Sequence, residues 1–200
     1  MTLLIGLTGG IGTGKTFCAN IFESLEVPVY YSDVRAKQLM TEHEGIRAQL
    51  IEHFGAEVYD QQGSLNRAYL ARRIFNNKDD LSYINSVVHP AVRGDFVEWV
   101  TLHGNSLYVI QESAILYDTG AYQLFDKMIL VHAPMDLRIR RIMVRDGVSR
   151  SDVRDRMNNQ SDLSKFHSQA DFIIQNDGES SVIQQVYNIH RRLSSTSEGQ

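Results

Sequence analysis

Two hundred residues, 42% hydrophobic and 22% charged, suit one globular domain with a small insertion, long enough to bury a core without disulfides or metal staples. The formal net charge of −4 argues against general nucleic-acid binding, which needs a basic surface, while a local basic cluster can still take an anionic ligand. Cys18 is the only cysteine, so there is no internal disulfide and a reducing compartment fits. No stretch approaches the roughly 20 apolar residues of a membrane span, and the N-terminal apolar run is too short for a secretory signal, so the expectation is a cytoplasmic protein.

Apolar runs over 3–7, 27–31, 107–111, 127–132 and 172–175 alternate with helical spacing, the pattern of a wound α/β sheet. Their near-continuous apolar character predicts strands covered on both faces, as a parallel sheet requires. The first run feeds Gly9-Gly10-Ile11-Gly12-Thr13-Gly14-Lys15-Thr16, which fits G-x-x-x-x-G-K-[ST] at every fixed position. Glycines let the backbone wrap a β-phosphate with its N–H groups, and the following helix adds the positive end of its dipole. Lys15 supplies a point charge for the β- and γ-phosphates, and the Thr16 hydroxyl reaches Mg²⁺. The prediction is a nucleoside triphosphate site. In the helix behind it Phe17, Ile21 and Leu25 recur at i, i+4 and i+8, widened by Cys18 and Phe22, so Cys18 reads as core rather than nucleophile.

Asp33 follows the second run, at the sheet edge where α/β proteins bind ligands. Two roles fit it: a general base taking the proton of an attacking hydroxyl, or, with Ser32, a helix N-cap. His43-Glu44 opens like a zincin motif, but no second histidine follows at the required spacing. The stretch 64–104 has no strand signal and reads as two or three helices. They carry Leu70 and Ile74, then Leu81, Ile84 and Val88, then Val92, Phe96 and Val100, with His89-Pro90 separating the last two. This insertion is either a substrate-binding subdomain or a layer that only packs. In the strandless region before the third strand, Asp60-Gln61-Gln62-Gly63 and Asn77-Lys78-Asp79-Asp80 match the GTPase motifs D-x-x-G and N-K-x-D. Neither follows an apolar strand, where a guanine-reading loop must sit, so a GTPase is rejected.

Glu112 ends the third strand and is either a partner of Mg²⁺ through water or an N-cap partner. Beyond the fourth strand come Arg138, Arg140, Arg141, Arg145, Arg150, Arg154 and Arg156, with only four acids among them. Arg138, Arg141 and Arg145 share one helix face. Small P-loop kinases close an arginine-bearing lid over the phosphates; the alternative is a solvated charged helix. The polar tail over 194–200 is expected to fray.

In this order the residues resemble the dephospho-CoA kinase family along nearly the whole chain. The matching pieces are the segment from Ile5-Gly6-Leu7-Thr8 through the P-loop, then Asp33, Leu65-Asn66-Arg67 with Phe75, and Val88-His89-Pro90. Arg145-Asp146-Gly147, Arg156-Met157 with Gln160, Ala170-Asp171-Phe172 and Asn176-x-Gly178 complete the set. The resemblance implies an α/β, three-layer P-loop kinase fold over 1–200, with a five-stranded parallel sheet, a helical CoA-binding insertion at about 60–104 and a lid at about 138–165. It implies transfer of the ATP γ-phosphate, with Mg²⁺, to the ribose 3′-hydroxyl of dephospho-CoA. Asp33 is then the base, Lys15 the phosphate clamp and Arg141 a catalytic lid arginine. Gly10, Gly12, Thr13, Gly14, Lys15, Thr16, Phe17, Arg145 and Asn176 bind ATP, Thr16 holding the metal. Thr8, Asp33, Arg67 and His89 bind the acceptor. Tyr31 replaces the family's first aspartate of D-A-D, and Ala114-Ile115-Leu116-Tyr117-Asp118 replaces P-L-L-[FY]-E. Another small P-loop kinase for a nucleotide or sugar is the alternative enzyme, and an ATP-binding switch the alternative without turnover. Neither nucleic acid nor membrane is an expected partner, and oligomeric state is not legible.

Overall fold

A computed structural model describes residues 2–158, 160 and 163–196. The chain runs β1 (Leu3–Thr8), α1 (Lys15–Glu23) and β2 (Val29–Tyr31), then α2 (Ser32–Glu42), α3 (Glu44–Phe54), α4 (Arg67–Asn76) and α5 (Lys78–Leu102). It continues through β3 (Tyr108–Glu112), β4 (Lys127–His132), α6 (Met135–Asp146), α7 (Arg150–Asn158), β5 (Phe172–Gln175) and α8 (Val182–Thr196). It divides into two compact units, one of residues up to Tyr30 and from His103 onward, the other Tyr31–Leu102.

The first unit is built on an all-parallel sheet of order β2-β3-β1-β4-β5. β1 lies at its centre, pairing Leu7 with Glu112 on β3 and Thr8 with Leu130 on β4. Ile5, Leu7, Val109, Ile110 and Ile129 are wholly buried, which is why these strands read as unbroken apolar runs. β2 starts two residues later than its apolar run because Pro28 has no N–H for the ladder; its carbonyl still accepts from Ile110 N at 2.9 Å. α1 packs on β1, β3 and α8. Its buried arc is Cys18, Ala19 and Phe22, and Phe17 is 52% exposed; the stripe expected from Phe17 lies about one residue round the helix. α8 continues through Thr196, anchored by buried Leu193, so the tail expected to fray is helical over 194–196. Residues 197–200 lie outside the described residues.

The second unit is helical and larger than the expected insertion at 60–104. α2 and α3 belong to it because Arg35 Nε on α2 donates to Asp95 on α5 at 2.9 Å, and the Tyr69 hydroxyl on α4 donates to the Phe54 carbonyl at the end of α3 at 2.6 Å. α5 is one helix of 25 residues with Pro90 inside it, not two helices parted at His89-Pro90. An interior proline costs about 3 kcal/mol. Ile84, Val88, Val92 and Phe96 form one buried stripe across it, each contributing roughly 1.5–3 kcal/mol, and the stripe wins.

Local structure accounts for the misleading motifs. Asp60 Oδ1 accepts from Gln62 N and Ser64 N in a tight turn, and Asn77 Oδ1 caps α5 by accepting from Asp79 N at 2.9 Å. His43 Nδ1 caps α3. No helix among the described residues is long and apolar enough to cross a membrane.

Candidate active site

The segment between β1 and α1 folds as an anion cradle. Gly12 and Gly14 have φ of +79° and +91°, values that side chains resist. Thr13 ties the loop to itself, its Oγ1 donating to the Gly10 carbonyl at 2.9 Å. α1 then begins with Gly14 as N-cap, no side-chain cap and no acid in its first turn. Its N-terminal amides and dipole end are left for an anion.

Three distant side chains brace this loop. Arg138 Nε on α6 donates to the Ile11 carbonyl at 2.9 Å, and Ile11 N donates to Gln160 Oε1 at 2.8 Å. A Cβ on Gly10 would collide with the Arg138 guanidinium. Asn176, just past β5, donates from Nδ2 to the Thr13 carbonyl at 2.8 Å and accepts from Arg141 Nη2 at 2.9 Å.

Lys15 Nζ lies 3.5 Å from the Gly10 carbonyl and 3.9 Å from Glu112 Oε1, with side-chain exposures of 12% and 7% for the ion pair. A cavity of about 220 Å³ is lined by Gly12, Gly14, Lys15, Thr16, Arg141, Ile142 and Arg145. Arg141 Nη1 is buried without a hydrogen-bond partner among the described residues, an orphan donor that an anionic ligand would satisfy. The arginines therefore divide. Arg138, Arg141 and Arg145 serve the loop or cavity, while Arg150 pairs with Asp136 and Arg156 with Asp146. Arg145 also bonds Asp146 and, with Arg156, holds that carboxyl below its ordinary range. α6 is seated in the core by Ile139 and Ile142, and α7 packs on it through Val153. Cys18 is fully buried, and burial pushes its thiol up to about 12, in keeping with a core residue.

The structure thus gathers Gly10, Gly12, Thr13, Gly14, Lys15, Thr16, Arg141, Arg145 and Asn176 around one loop. Phe17 stands exposed on α1. Thr8 is wholly buried at the end of β1, its hydroxyl without a partner among the described residues. Asp33, Arg67 and His89 belong to the helical unit. Asp33 is exposed in the first turn of α2, whose N-cap is Tyr31 with no side-chain cap bond, so Asp33 is not the cap. Arg67 is the exposed first residue of α4, and His89 is half-buried on α5, its pKa lowered by burial and then by Arg93. The altered segment 114–118 is anchored by buried Leu116 and by Tyr117, whose ring stacks on Phe166 at 4.1 Å. Sequence reasoning did not find the bracing roles of Arg138 and Gln160; the signals were the face Arg138 shares with Arg141 and the place of Gln160 among the residues that carry the family resemblance.

A hydroxyl at Thr16 and a buried carboxylate at Glu112 are hard oxygen donors that fit Mg²⁺, which keeps waters and substrate phosphates as its other ligands.

Known proteins resemble this chain over most of its length. The family model described as dephospho-CoA kinase matches residues 3–181. A dephospho-CoA kinase of Bacteroides fragilis is 36% identical over 187 residues, covering 93% of this chain and 90% of that protein. One from Porphyromonas gingivalis is 41% identical over 155 residues, covering 78% and 76%. A Thermus thermophilus crystal structure superposes with a TM-score of 0.82 at 28% identity, covering 96% of this chain and 97% of that one. A Campylobacter jejuni dephospho-CoA kinase shares the fold, with a TM-score of 0.73 at 24% identity over 98% and 99%. The match of the family model from the first strand to the start of the last helix, with relatives of this identity and coverage, places the chain in the dephospho-CoA kinase family.

Proposed function

We infer that this chain transfers the γ-phosphoryl group of ATP to the ribose 3′-hydroxyl of dephospho-CoA, giving coenzyme A and ADP. The observation that carries the donor half is the glycine cradle backed by Lys15, Arg141 and Arg145 around one cavity. Family membership carries the acceptor.

In the transfer the 3′-oxygen attacks the γ-phosphorus, the bond to the β,γ-bridging oxygen breaks, and the hydroxyl proton passes to a carboxylate. Asp33 is that carboxylate: it is exposed, it opens the helical unit directly after β2, and it is not occupied as a cap. Lys15 and Arg141 offset the charge that builds on the transferring oxygens. Thr16 Oγ1 and, through water, Glu112 would hold Mg²⁺, which would supply positive charge to offset that of the β- and γ-phosphates. The helical unit, with Arg67 and His89, receives the acceptor. The expected lid at 138–165 holds α6 and α7 in one buried cluster, Ile139 and Ile142 against Val153; residues 159 and 161–162 of that lid lie outside the described residues. The chain works in the cytoplasm on small molecules, in keeping with its lone cysteine and acidic average charge.

The test is an acceptor screen with ATP and Mg²⁺, following ADP release. Dephospho-CoA is expected to support turnover and to gain one phosphate at the 3′ position by mass spectrometry and ³¹P NMR. AMP, shikimate and gluconate are expected not to. Turnover with one of these and none with dephospho-CoA overturns the reading.

A further inference from the structure

Asn176 is 8% exposed, and its backbone N, Nδ2 and Oδ1 each have one partner. Its backbone N donates to the His132 carbonyl at the end of β4 at 2.8 Å, which fixes the residue to the sheet. Nδ2 donates to the Thr13 carbonyl at 2.8 Å, and Oδ1 accepts from Arg141 Nη2 at 2.9 Å. The partners dictate the orientation of the amide, because a carbonyl only accepts and a guanidinium only donates. Aspartate would set oxygen against oxygen at Thr13, and no shorter side chain spans both partners.

Both contacts act on groups that line the cavity. A trans peptide points its carbonyl and its N–H to opposite sides. Holding the Thr13 carbonyl outward on Asn176 therefore turns the Gly14 N–H away from Asn176. Gly14 itself is doubly constrained, by its φ of +91° and because a Cβ there would collide with Asn176 Nδ2. On the other side, Asn176 takes Nη2 of Arg141 and leaves Nη1 as the buried donor with no protein partner among the described residues. Arg141 lines the cavity together with Gly12, Gly14, Lys15 and Thr16.

We propose that Asn176 is a positioning residue for phosphoryl transfer: a strut from the end of β5 that sets the Thr13–Gly14 peptide and aims Arg141 at the phosphates, rather than a reader of the adenine base. The proposal deepens the kinase reading above and rests on it. Its orienting effect is lost when Arg141 is removed, so the two side chains are energetically coupled.

The experiment is a double-substitution cycle of Asn176→Ala and Arg141→Ala, read as kcat and KM for ATP and for GTP at saturating dephospho-CoA. Thermal melting checks that each variant is folded. Asn176→Ala is expected to lower kcat/KM by about 10–100-fold, the scale of one misdirected charged hydrogen bond. The loss should be equal for ATP and GTP, and it should shrink at least threefold in the Arg141→Ala background. If Asn176→Ala does not fold, Asn176→Ser replaces it in the same cycle, keeping a short hydroxyl donor but not the reach to Arg141. Additive losses, or a change in the ATP-to-GTP ratio with kcat intact, overturn the proposal. Lack of turnover by the unsubstituted protein defeats the kinase reading instead; the same cycle read as ATP dissociation constants then decides the strut separately.

Discussion

Asp33 stands at the second helical position of α2, exposed, with its neighbour Ser32 buried and Tyr31 in the capping place. A cap and a catalytic base were equally open readings from the sequence, since both place an acidic residue just past a strand. Cap geometry, which is three-dimensional, decides against the cap. Asp33→Asn is therefore expected to keep the fold and the ATP affinity while lowering kcat by about 10²–10⁴-fold, the usual contribution of a general base. Steady-state kinetics with a nucleotide-binding titration check it, and normal turnover in the variant would remove Asp33 from the chemistry. The P-loop was legible residue by residue because its partners are close in sequence and its glycines answer a local backbone demand. The contacts that brace it were not, although the family resemblance singled out Gln160 and Asn176. Arg138, Gln160 and Asn176 reach it from 127, 149 and 163 residues away, and no spacing rule connects residues so far apart.

At the scale of elements, apolar periodicity located all five strands, and the break expected at His89-Pro90 was a failure of local chemistry to predict a tertiary outcome. Proline is a helix boundary signal because it removes a hydrogen bond and disfavours helix in the residue before it. In α5 the buried stripe on both sides of exposed Pro90 holds the helix through that defect. Pro90→Ala should restore the missing donor without removing a buried side chain, raising unfolding free energy by about 1–3 kcal/mol in urea melts. An unchanged or lower midpoint would mean the proline itself is preferred there. The start of the same helix carries a pH-sensitive tie. Asp80 is 4% exposed, accepts from Arg73 Nε at 3.1 Å and lies 3.0 Å from His53 Nε2. His53 foremost, then Arg73, holds its carboxyl below the ordinary carboxylate range. A folded-state value below the unfolded one means the contribution is complete above the usual pKa of about 4 and is lost as pH falls through the lowered value. Asp80→Asn should therefore be less stable than the parent at pH 7, with the gap narrowing below about pH 4 as the parent loses the tie. Melting temperatures across that range measure it, and a gap independent of pH would rule the linkage out.

At the scale of the whole molecule, the chain leaves one compact unit at Tyr30 and returns to it at His103. The interruption was legible as a long stretch without strand signal, but its beginning was placed near residue 60. α2 and α3 carry the same amphipathic spacing as any crossover helix of a parallel sheet, so only their ties to α5 and α4 assign them to the helical unit. This division has a functional consequence. Every group around the phosphate cavity comes from the first unit, whereas Asp33, Arg67 and His89 all lie in the second. If each unit holds one substrate, ATP affinity is a property of the first alone. Lys15→Ala removes a charged phosphate contact of about 1.5–3 kcal/mol and should weaken ATP binding about 10–100-fold. Arg67→Ala and His89→Ala should leave the ATP dissociation constant within about twofold, while raising KM for dephospho-CoA by about tenfold or more, the scale of one lost hydrogen bond to a charged group. Calorimetric titration with ATP and acceptor kinetics on the same preparations separate the two effects. An Arg67→Ala variant that weakens ATP binding as much as Lys15→Ala would show that the helical unit shares the donor site, and the assignment of one substrate to each unit would fail.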